Sequence, residues 1–297
     1  MTDESLVSCA VASYNAEETI IETLESIKAQ TYENIELIVS DDCSTDNTVA
    51  ICRKWIEENR HRFVRTELLT VEKNTGVSAN LNRISEACRG EWKKGIAGDD
   101  KLLPTCVEDY MNFVKEHPEA KWVSSYMQSY NETFDESNCI GRNVVDSISL
   151  FEKDAHGQLL ELAKRNLINA PTLFFRSEFN LEIKYREDYS FEDWPFYIDA
   201  LEKGYRCYFM PKETVCYRIH TSISNSKGKL FKYEIALQYR KFEKERLFKY
   251  LSKRQIRGKQ ILWKTQDIIQ KCGLNKKTTV MSFLYRKWSA LVLKVYR

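Results

Sequence analysis

Two pairs of adjacent aspartates could take part in chemistry. Asp99 and Asp100 follow the apolar run "KKGIAG", and Asp41 and Asp42 follow "IELIVS". Neighbouring carboxylates repel each other, so the pKa of one or both should rise unless a cation lies nearby. Mg²⁺ and Mn²⁺ bind oxygen ligands, often one or two carboxylates together with phosphate and water. An Asp-Asp pair is also typical of a solvated turn, so both interpretations are open.

Other polar residues have two interpretations as well. An aspartate of the Asp41–Asp42 pair could accept the imide N–H of a uracil ring while Tyr14 stacks on its face. Glu192 and Asp193 precede a predicted helix, where acidic side chains interact favourably with the helix N-terminus. By themselves these two residues therefore favour a structural role.

The elements that must position these groups alternate along the first hundred residues. Strands are predicted over 5–13, 35–42, 62–72 and 91–98, with helices between them. Asn15 and Asp46 are the predicted N-caps of the first two helices. Strands that alternate with helices form β-α-β units, which predict a mainly parallel sheet.

Polar clusters follow each of these four strands, namely "SYN", "DDCSTD", "KNTG" and "GDD". The carboxyl ends of parallel strands meet at one edge of a sheet, where open α/β sheets bind their ligands. The sequence therefore predicts a ligand site at this edge.

The rest of the chain is less regular. Residues 131–155 have the character of a loop, and two short strands are predicted on either side of Pro211. Beyond Ser226 the pattern is helical. In its last helix the apolar positions recur every three or four residues; they are Met281, Tyr285, Trp288, Val292 and Val295.

Charge divides the chain unevenly. Residues 226–297 carry 20 Lys and Arg against 4 Asp and Glu, whereas the whole chain has a net charge of only +2. A basic helical region of this kind could lie on an anionic membrane, pack on the acidic part of the chain, or bind nucleic acid. All three uses are open at this point.

The composition argues against a membrane-spanning protein, a secreted protein and a disulfide-bonded framework. Charged residues make up 30% of the chain, and no apolar stretch approaches the roughly 20 residues that cross a bilayer. The N-terminus lacks the basic region of a secretory signal. The nine cysteines are odd in number and form no C-x-x-C pair, which predicts free thiols in a reducing cytoplasm.

Three segments together resemble the successive signatures of family 2 glycosyltransferases with the GT-A fold. They are "VASYNAEETIIETLESIKAQTYENIELIVSDDCSTDNT", "NTGVSANLNRISEACRGEW" and "AGDD". The resemblance covers about residues 5–225. It implies a mixed, mainly parallel sheet flanked by helices, with a C-terminal helical extension. It also implies a catalytic domain over 1–225 and a basic helical region over 226–297. The nucleotide-binding half would cover about 1–100, and the acceptor half about 101–225.

The resemblance also assigns roles to residues. The nucleotide contacts that it implies are Ala12, Ser13, Tyr14, Asp42, Asn74 and Asp99. Asp100 would be the ligand of a Mn²⁺ or Mg²⁺ ion, and His220 a second one. Asp193 would be the catalytic base, with Glu192 as its support. One position departs from the family pattern, because Gly98 stands where the first carboxylate of the metal-binding motif is usual.

The function implied is an inverting, metal-dependent transfer of a sugar from a nucleotide-sugar, UDP-linked, to a hydroxyl of a glycan or lipid-linked oligosaccharide. Such a protein would act in cell-surface polysaccharide synthesis, in the cytoplasm or at the inner face of the membrane. One alternative is a sugar-nucleotide nucleotidyltransferase, which would need a basic Gly-rich loop after the first strand. Another is a non-catalytic protein that binds nucleic acid or membrane through the basic tail. No nucleic-acid partner is expected.

Overall fold

The structure is a computed structural model that describes residues 5–143, 148–219 and 228–296. Within these ranges the strands are β1 (Val7–Ser13), β2 (Ile35–Asp41), β3 (Arg65–Thr70), β4 (Trp92–Ala97), β5 (Lys101–Leu102), β6 (Trp122–Asn131), β7 (Cys139–Asn143), β8 (Phe174–Arg176) and β9 (Tyr208–Ile219). The α-helices are α1 (Ile20–Lys28), α2 (Thr48–Asn59), α3 (Val77–Ala87), α4 (Cys106–Glu116), α5 (Ala155–Lys164), α6 (Ser177–Glu182), α7 (Asp193–Glu202), α8 (Tyr233–Phe242), α9 (Lys253–Lys271) and α10 (Thr279–Val295).

These strands form one sheet in the order β3-β2-β1-β4-β8-β6-β9-β5, with β7 paired to β6. β1 lies parallel to β2 and to β4, and β2 lies parallel to β3. β8, β7 and β5 pair with their neighbours in the antiparallel direction. The prediction of a mixed, mainly parallel sheet flanked by helices is confirmed.

The core lies between this sheet and its helices. α1 buries Ile20, Leu24 and Ile27, whose spacing of four and three residues places them on one face. A further part of the core is aromatic, because Phe174 of β8 stacks between Trp92 and Tyr110 at centroid distances of 5.2 and 4.8 Å. The apolar residues of β1 and β2 are buried, as expected of central parallel strands.

The chain divides into two compact units. The first consists of Met1–Gln158 and Leu167–Arg218, and it contains the carboxylate pairs at the strand ends. The second consists of Leu159–Asn166 and Ile219–Arg297, and it is helical. The predicted domain boundary between residues 225 and 226 lies outside the described residues.

Four local predictions are wrong. The N-cap of α2 is Asn47 and not Asp46, whose carboxylate accepts from the Thr48 N–H and from the distant Glu17 N–H. Helix α1 begins at Ile20, so Asn15 is not its N-cap; Asn15 has a positive φ of 48° and accepts a hydrogen bond from the Thr45 N–H at 2.8 Å. The predicted loop over 131–155 contains the strand β7. The two strands predicted around Pro211 are the single strand β9. In each case a contact distant in the sequence, or continuous pairing, overrides the local pattern.

Candidate active site

The end of β1 carries the first three predicted nucleotide contacts. Ala12 is paired to both β2 and β4. Ser13 Oγ donates a hydrogen bond of 2.9 Å to Asp41 Oδ2, so this hydroxyl is engaged within the sheet edge. Tyr14 follows the strand and is 50% exposed. Its ring is therefore accessible to a flat aromatic ligand.

Asp41, at the end of β2, is completely buried and well supplied with hydrogen bonds. Its carboxylate accepts from the Ser44 N–H at 2.7 Å and from the Ser44 hydroxyl at 2.5 Å, in addition to Ser13. Asp41 thus closes the loop after β2 against the end of β1. Its negative charge is stabilised by the chain itself.

The Asp42 carboxylate also receives several hydrogen bonds from the chain. Its carboxylate accepts from the backbone N–H groups of Thr75 and Gly76 at 3.0 and 2.7 Å and from the Thr75 hydroxyl, and Arg83 lies at 3.5 Å. A carboxylate offers about four acceptor positions, so these donors take most of them. Asn74 Nδ2 donates to the Asp42 carbonyl at 3.2 Å. Asp42 thus holds the loop that carries Asn74, and the nucleotide contacts of both residues stay predictions.

Asp100, in the turn after β4, has a different environment. It is 2% exposed, and among the described residues only the backbone N–H of Arg218 donates to its carboxylate, at 2.9 Å. Burial and the neighbouring Asp99 raise the pKa of Asp100 well above its ordinary value, although Lys94 and Arg218 oppose the shift. The negative charge of Asp100 therefore costs free energy, which a bound cation would offset.

Arg218 fixes the turn that carries this aspartate. Its side chain is buried, and Nε donates to the Asp99 carbonyl at 2.8 Å. The other guanidinium nitrogens bind the Glu132 carbonyl and, at 2.5 Å, the Glu22 carboxylate. The guanidinium also lies 4.2 Å from the centre of the Phe134 ring. The Arg218 guanidinium thus holds the turn through the Asp99 carbonyl, while the backbone N–H of Arg218 binds the Asp100 carboxylate.

Gly98 has a packing reason to lack a side chain. A Cβ atom at this position would lie 3.0 Å from Ile20 Cδ1 and 3.4 Å from the Cβ atoms of Ala16 and Ser13. The turn packs closely on the start of α1, so a side chain here would have to displace the end of Ile20 by a few tenths of an ångström. The departure from the family pattern at this position therefore leaves Asp99 and Asp100 as the carboxylates of the turn.

Glu192 and Asp193 lie at the start of α7. Asp193 is the first residue of the helix, and its Oδ1 accepts from the Trp194 N–H at 2.7 Å. Burial and the charge of Asp193 raise the pKa of Glu192 to about 7. A carboxyl group with this pKa exchanges a proton near neutral pH, which suits general acid–base chemistry.

Tyr217 of β9 connects the two acidic pairs. Burial raises its pKa to about 12, and four carboxylates add to the effect, those of Asp100, Asp99, Glu192 and Asp193. All four carboxylates thus act electrostatically on this one phenol, and the register of β9 against β5 places Tyr217 opposite Asp100. Two segments far apart in the sequence therefore contribute to one site.

Tyr217 and Arg218 are the site residues that the sequence reasoning missed. The antiparallel register pairs Lys101 with Cys216, which places the next residue of β9 opposite Asp100. Their signal was a tyrosine and an arginine just before a predicted ligand, in "CYRIH". His220 itself lies outside the described residues.

The metal prediction rests on Asp100. Within the described ranges, no group of three or more His, Cys, Asp or Glu side chains is arranged to hold a metal ion. A single buried carboxylate that receives few hydrogen bonds nevertheless suits Mg²⁺ or Mn²⁺, since these ions commonly complete their coordination with substrate phosphates and water.

Two known proteins that are similar to this chain are named as glycosyltransferases. An uncharacterized glycosyltransferase of Haemophilus influenzae is 27% identical over 252 residues, which cover 84% of this chain and 75% of the relative. The Escherichia coli enzyme WfaP, named a UDP-Glc:alpha-D-GlcNAc-diphosphoundecaprenol beta-1,3-glucosyltransferase, is 26% identical over 75% of this chain and 82% of its own length.

Solved structures of S. aureus TarS share the fold. The complex of TarS residues 1–349 with UDP-GlcNAc matches with a TM-score of 0.57 and 22% identity. The match covers 75% of this chain but only 62% of that one, and for the longer TarS structure the share is 37%. The family model described as glycosyl transferase family 2 matches residues 8–182. The chain therefore belongs to glycosyl transferase family 2, as its strand-end motifs predict.

Proposed function

We propose that the protein is an inverting glycosyltransferase that moves one sugar from a UDP-sugar to a hydroxyl group of a glycan. The observation that carries the proposal is that both acidic pairs act electrostatically on Tyr217, which lies opposite Asp100 in the sheet. Transfer between a diphosphate leaving group and a hydroxyl needs positive charge at the first and a proton acceptor at the second. The Asp99–Asp100 pair can bind the cation that supplies the positive charge, and the Glu192–Asp193 pair can accept the proton. The UDP-GlcNAc complex of TarS supports a UDP-linked donor.

The donor side of the proposal uses the Asp99–Asp100 turn and the ends of β1 and β2. Asp100 and His220 would hold Mn²⁺ or Mg²⁺, and Asp99 would face the ribose. When bound, the cation supplies positive charge that neutralises the departing diphosphate. The nucleoside would be bound by the remaining predicted contacts, Ala12, Ser13, Tyr14, Asp42 and Asn74. The accessible ring of Tyr14 supports stacking on the base.

The acceptor side uses Glu192 and Asp193. Asp193 would take the proton of the acceptor hydroxyl as its oxygen attacks the anomeric carbon on the face opposite the leaving nucleotide. Glu192 would support this step as a second carboxylate beside the base. The pKa of about 7 at Glu192 supports proton exchange at this pair under neutral conditions.

The acceptor proposed is a glycan or a lipid-diphosphate-linked oligosaccharide in bacterial polysaccharide synthesis. The name of WfaP, which specifies a diphosphoundecaprenol-linked acceptor, supports this class. A lipid-linked acceptor would place the enzyme at the inner face of the membrane, in peripheral contact through residues 226–297. No nucleic-acid partner is proposed.

The test is a hydrolysis screen of nucleotide sugars with and without Mn²⁺. We expect one UDP-sugar to be hydrolysed slowly without an acceptor, and we expect a chelator to stop the reaction. Asp100→Asn is the matched variant and should lose the response to Mn²⁺. Hydrolysis of a UDP-sugar that ignores both the chelator and this substitution would contradict the metal role. Failure to bind or hydrolyse any nucleotide sugar would contradict the proposed reaction.

A further inference from the structure

Helix α10 has a wide apolar surface, and one side of it packs on α9, where Trp288 Nε1 donates to the Thr265 hydroxyl at 3.0 Å. On this first face Val292 is 3% exposed and the Tyr285 hydroxyl accepts a hydrogen bond of 3.0 Å from Gln266. Tyr296 lies so close to Gly258 that a Cβ atom there would be 2.6 Å away. Two of the apolar positions predicted from the sequence, Tyr285 and Val292, therefore already have partners within the second unit.

The second face is a stripe that the described residues leave exposed. It comprises Val280, Leu284, Leu291 and Val295, which are spaced four, seven and four residues apart. At 100° per residue these positions share one side of the helix. Their exposed fractions run from 46 to 66%, and the half-exposed Trp288 borders the same side. A contiguous apolar surface of this kind usually marks a contact with a partner or a membrane.

The charges around the stripe indicate which partner it suits. Lys287 and Lys294, seven residues apart, lie along one border of the stripe, and α10 contains no Asp or Glu. Residues 226–297 as a whole carry 20 basic residues against 4 acidic ones. The apolar stripe suits the acyl chains of a bilayer, and the lysines at its border suit anionic headgroups. A bilayer rich in acidic lipids offers both.

Two other arrangements of α10, a membrane-spanning helix and a pairing with a second copy, are less favourable. None of the described helices is long and apolar enough to cross a membrane, so α10 would lie in the plane of the interface. In an antiparallel symmetric pairing with a second copy, the basic borders of the two stripes would meet and repel each other. An anionic lipid surface avoids this repulsion.

We propose that α10 is an interfacial membrane helix whose stripe enters the acyl boundary of an anionic bilayer while Lys287 and Lys294 contact lipid phosphates. The role of this contact rests on the proposed function, because a lipid-linked acceptor would lie in the same bilayer. Membrane binding itself uses residues of the second unit only. It can therefore be measured without any sugar transfer.

The first test is cosedimentation of the full chain with vesicles of phosphatidylcholine, with or without about a quarter phosphatidylglycerol. We expect binding to the anionic vesicles, and we expect Leu291→Ser to lower the partition constant about tenfold, since one buried leucine is lost. Leu293→Ser is the matched control: it lies on the same helix and is 47% exposed against 52% for Leu291, but faces away from the stripe. It should bind like the wild type.

A second arm tests the charges. Lys287→Gln with Lys294→Gln should lower binding to anionic vesicles about twentyfold and leave binding to neutral vesicles unchanged, and added salt should mimic the substitution. Thermal unfolding checks that each variant is folded. Equal sedimentation of Leu291→Ser and Leu293→Ser would overturn the proposal. It would also be overturned if sedimentation velocity shows a dimer that only Leu291→Ser dissociates, without vesicle binding.

The two proposals fail in different ways. Leu291→Ser should keep the rate of UDP-sugar hydrolysis in detergent-free buffer, because Leu291 is none of the residues proposed to bind the donor or the metal. Asp100→Asn should lose that hydrolysis and still sediment with anionic vesicles. Vesicle binding without any reaction on nucleotide sugars would leave the membrane helix standing and remove the proposed transfer.

Discussion

The two Asp-Asp pairs have the same residues and the same place in the sheet, yet they differ in electrostatics. Each pair follows a parallel strand at one edge. The carboxylate of Asp41 accepts hydrogen bonds from two serine hydroxyls and one backbone N–H, whereas the only described residue that donates to the Asp100 carboxylate is Arg218, through its backbone N–H. Both aspartates are buried. One pair therefore builds the site, while the other keeps a charge that a ligand can satisfy.

Part of the difference arises from the residues that come directly after each pair in the chain. After Asp42 the sequence is "CSTDNT", and the hydroxyl of Ser44 turns back to Asp41. After Asp100 it is "KLL", which has no hydroxyl group, and the Lys101 ammonium lies 6.0 Å from the Phe134 ring centre. A hydroxyl close in the sequence thus contributes to the difference, together with distant donors such as Ser13 and Thr75.

The largest effect is expected at the acceptor side. Asp193→Asn removes the proposed proton acceptor, so sugar transfer should fall about a thousandfold, within the range of general-base catalysis. UDP binding, measured by calorimetry, should remain nearly unchanged because Asp193 does not belong to the donor side. Lost affinity for UDP would instead assign Asp193 to nucleotide binding, and the division between the acidic pairs would fail.

The next prediction compares the two pairs directly. Asp41→Asn replaces an acceptor oxygen by a donor against Ser13 and Ser44, so the free energy of unfolding should fall by about 2–3 kcal/mol. Asp100→Asn removes a disfavoured buried charge and keeps an acceptor for the Arg218 N–H, so stability should stay constant or rise by about 1 kcal/mol. Urea unfolding at slightly alkaline pH without metal measures both.

Ligand binding supplies the control for the two substitutions Asp41→Asn and Asp100→Asn. Mn²⁺ together with UDP should raise the unfolding temperature of the wild type and of Asp41→Asn, provided the latter is folded, but not that of Asp100→Asn. Equal destabilisation by the two substitutions would show that the Asp99–Asp100 turn is as well satisfied by its own chain as the Asp41–Asp42 turn.

The pH dependence of stability should report Glu192. Its pKa is raised from 4.5 to about 7, so the folded state binds more protons than the unfolded state between these values. The free energy of unfolding contributed by Glu192 is therefore lost as pH rises through this window. Glu192→Gln cannot titrate and should gain about 2 kcal/mol relative to the wild type from pH about 5 to about 8.

Glu178→Gln is the control for this titration. A hydrogen bond and the charge of Lys121 lower the pKa of Glu178, which is the opposite direction. This variant should therefore gain nothing relative to the wild type as pH rises. An unchanged difference between wild type and Glu192→Gln across the window would show that Glu192 titrates as an ordinary surface carboxyl group.

The strand-end motifs predicted the parallel half of the sheet and the shared edge at which the candidate residues lie, because hydrophobic runs and polar ends are local signals. They did not predict the start of α1, where Asn15 binds the loop after β2 instead of capping the helix. Nor could they show that Tyr217 and Arg218 face Asp100, since that depends on the register of β9 against the two-residue strand β5. Donor counts around each aspartate likewise depend on tertiary contacts.

The smallest effect concerns how the Asp99–Asp100 turn is positioned. Arg218→Lys keeps the positive charge but loses the planar fork that binds the Asp99 and Glu132 carbonyls and the Glu22 carboxylate together. The turn should then hold Asp100 less firmly, and the Mn²⁺ concentration for half-maximal UDP-sugar hydrolysis should rise about tenfold. The maximal rate at saturating Mn²⁺ should change little.

Arg62→Lys separates this positioning role from a loss of stability. Arg62 also binds backbone carbonyls through its guanidinium, those of Lys28, Gln30, Tyr32 and Glu33, but none of them belongs to the acidic turn. Both substitutions should lower the unfolding temperature, and only Arg218→Lys should shift the Mn²⁺ response. An equal shift in both variants would mean that the turn responds to general loosening of the fold. The difference in hydrogen bonding between the Asp41–Asp42 pair and the Asp99–Asp100 pair would then not depend on Arg218.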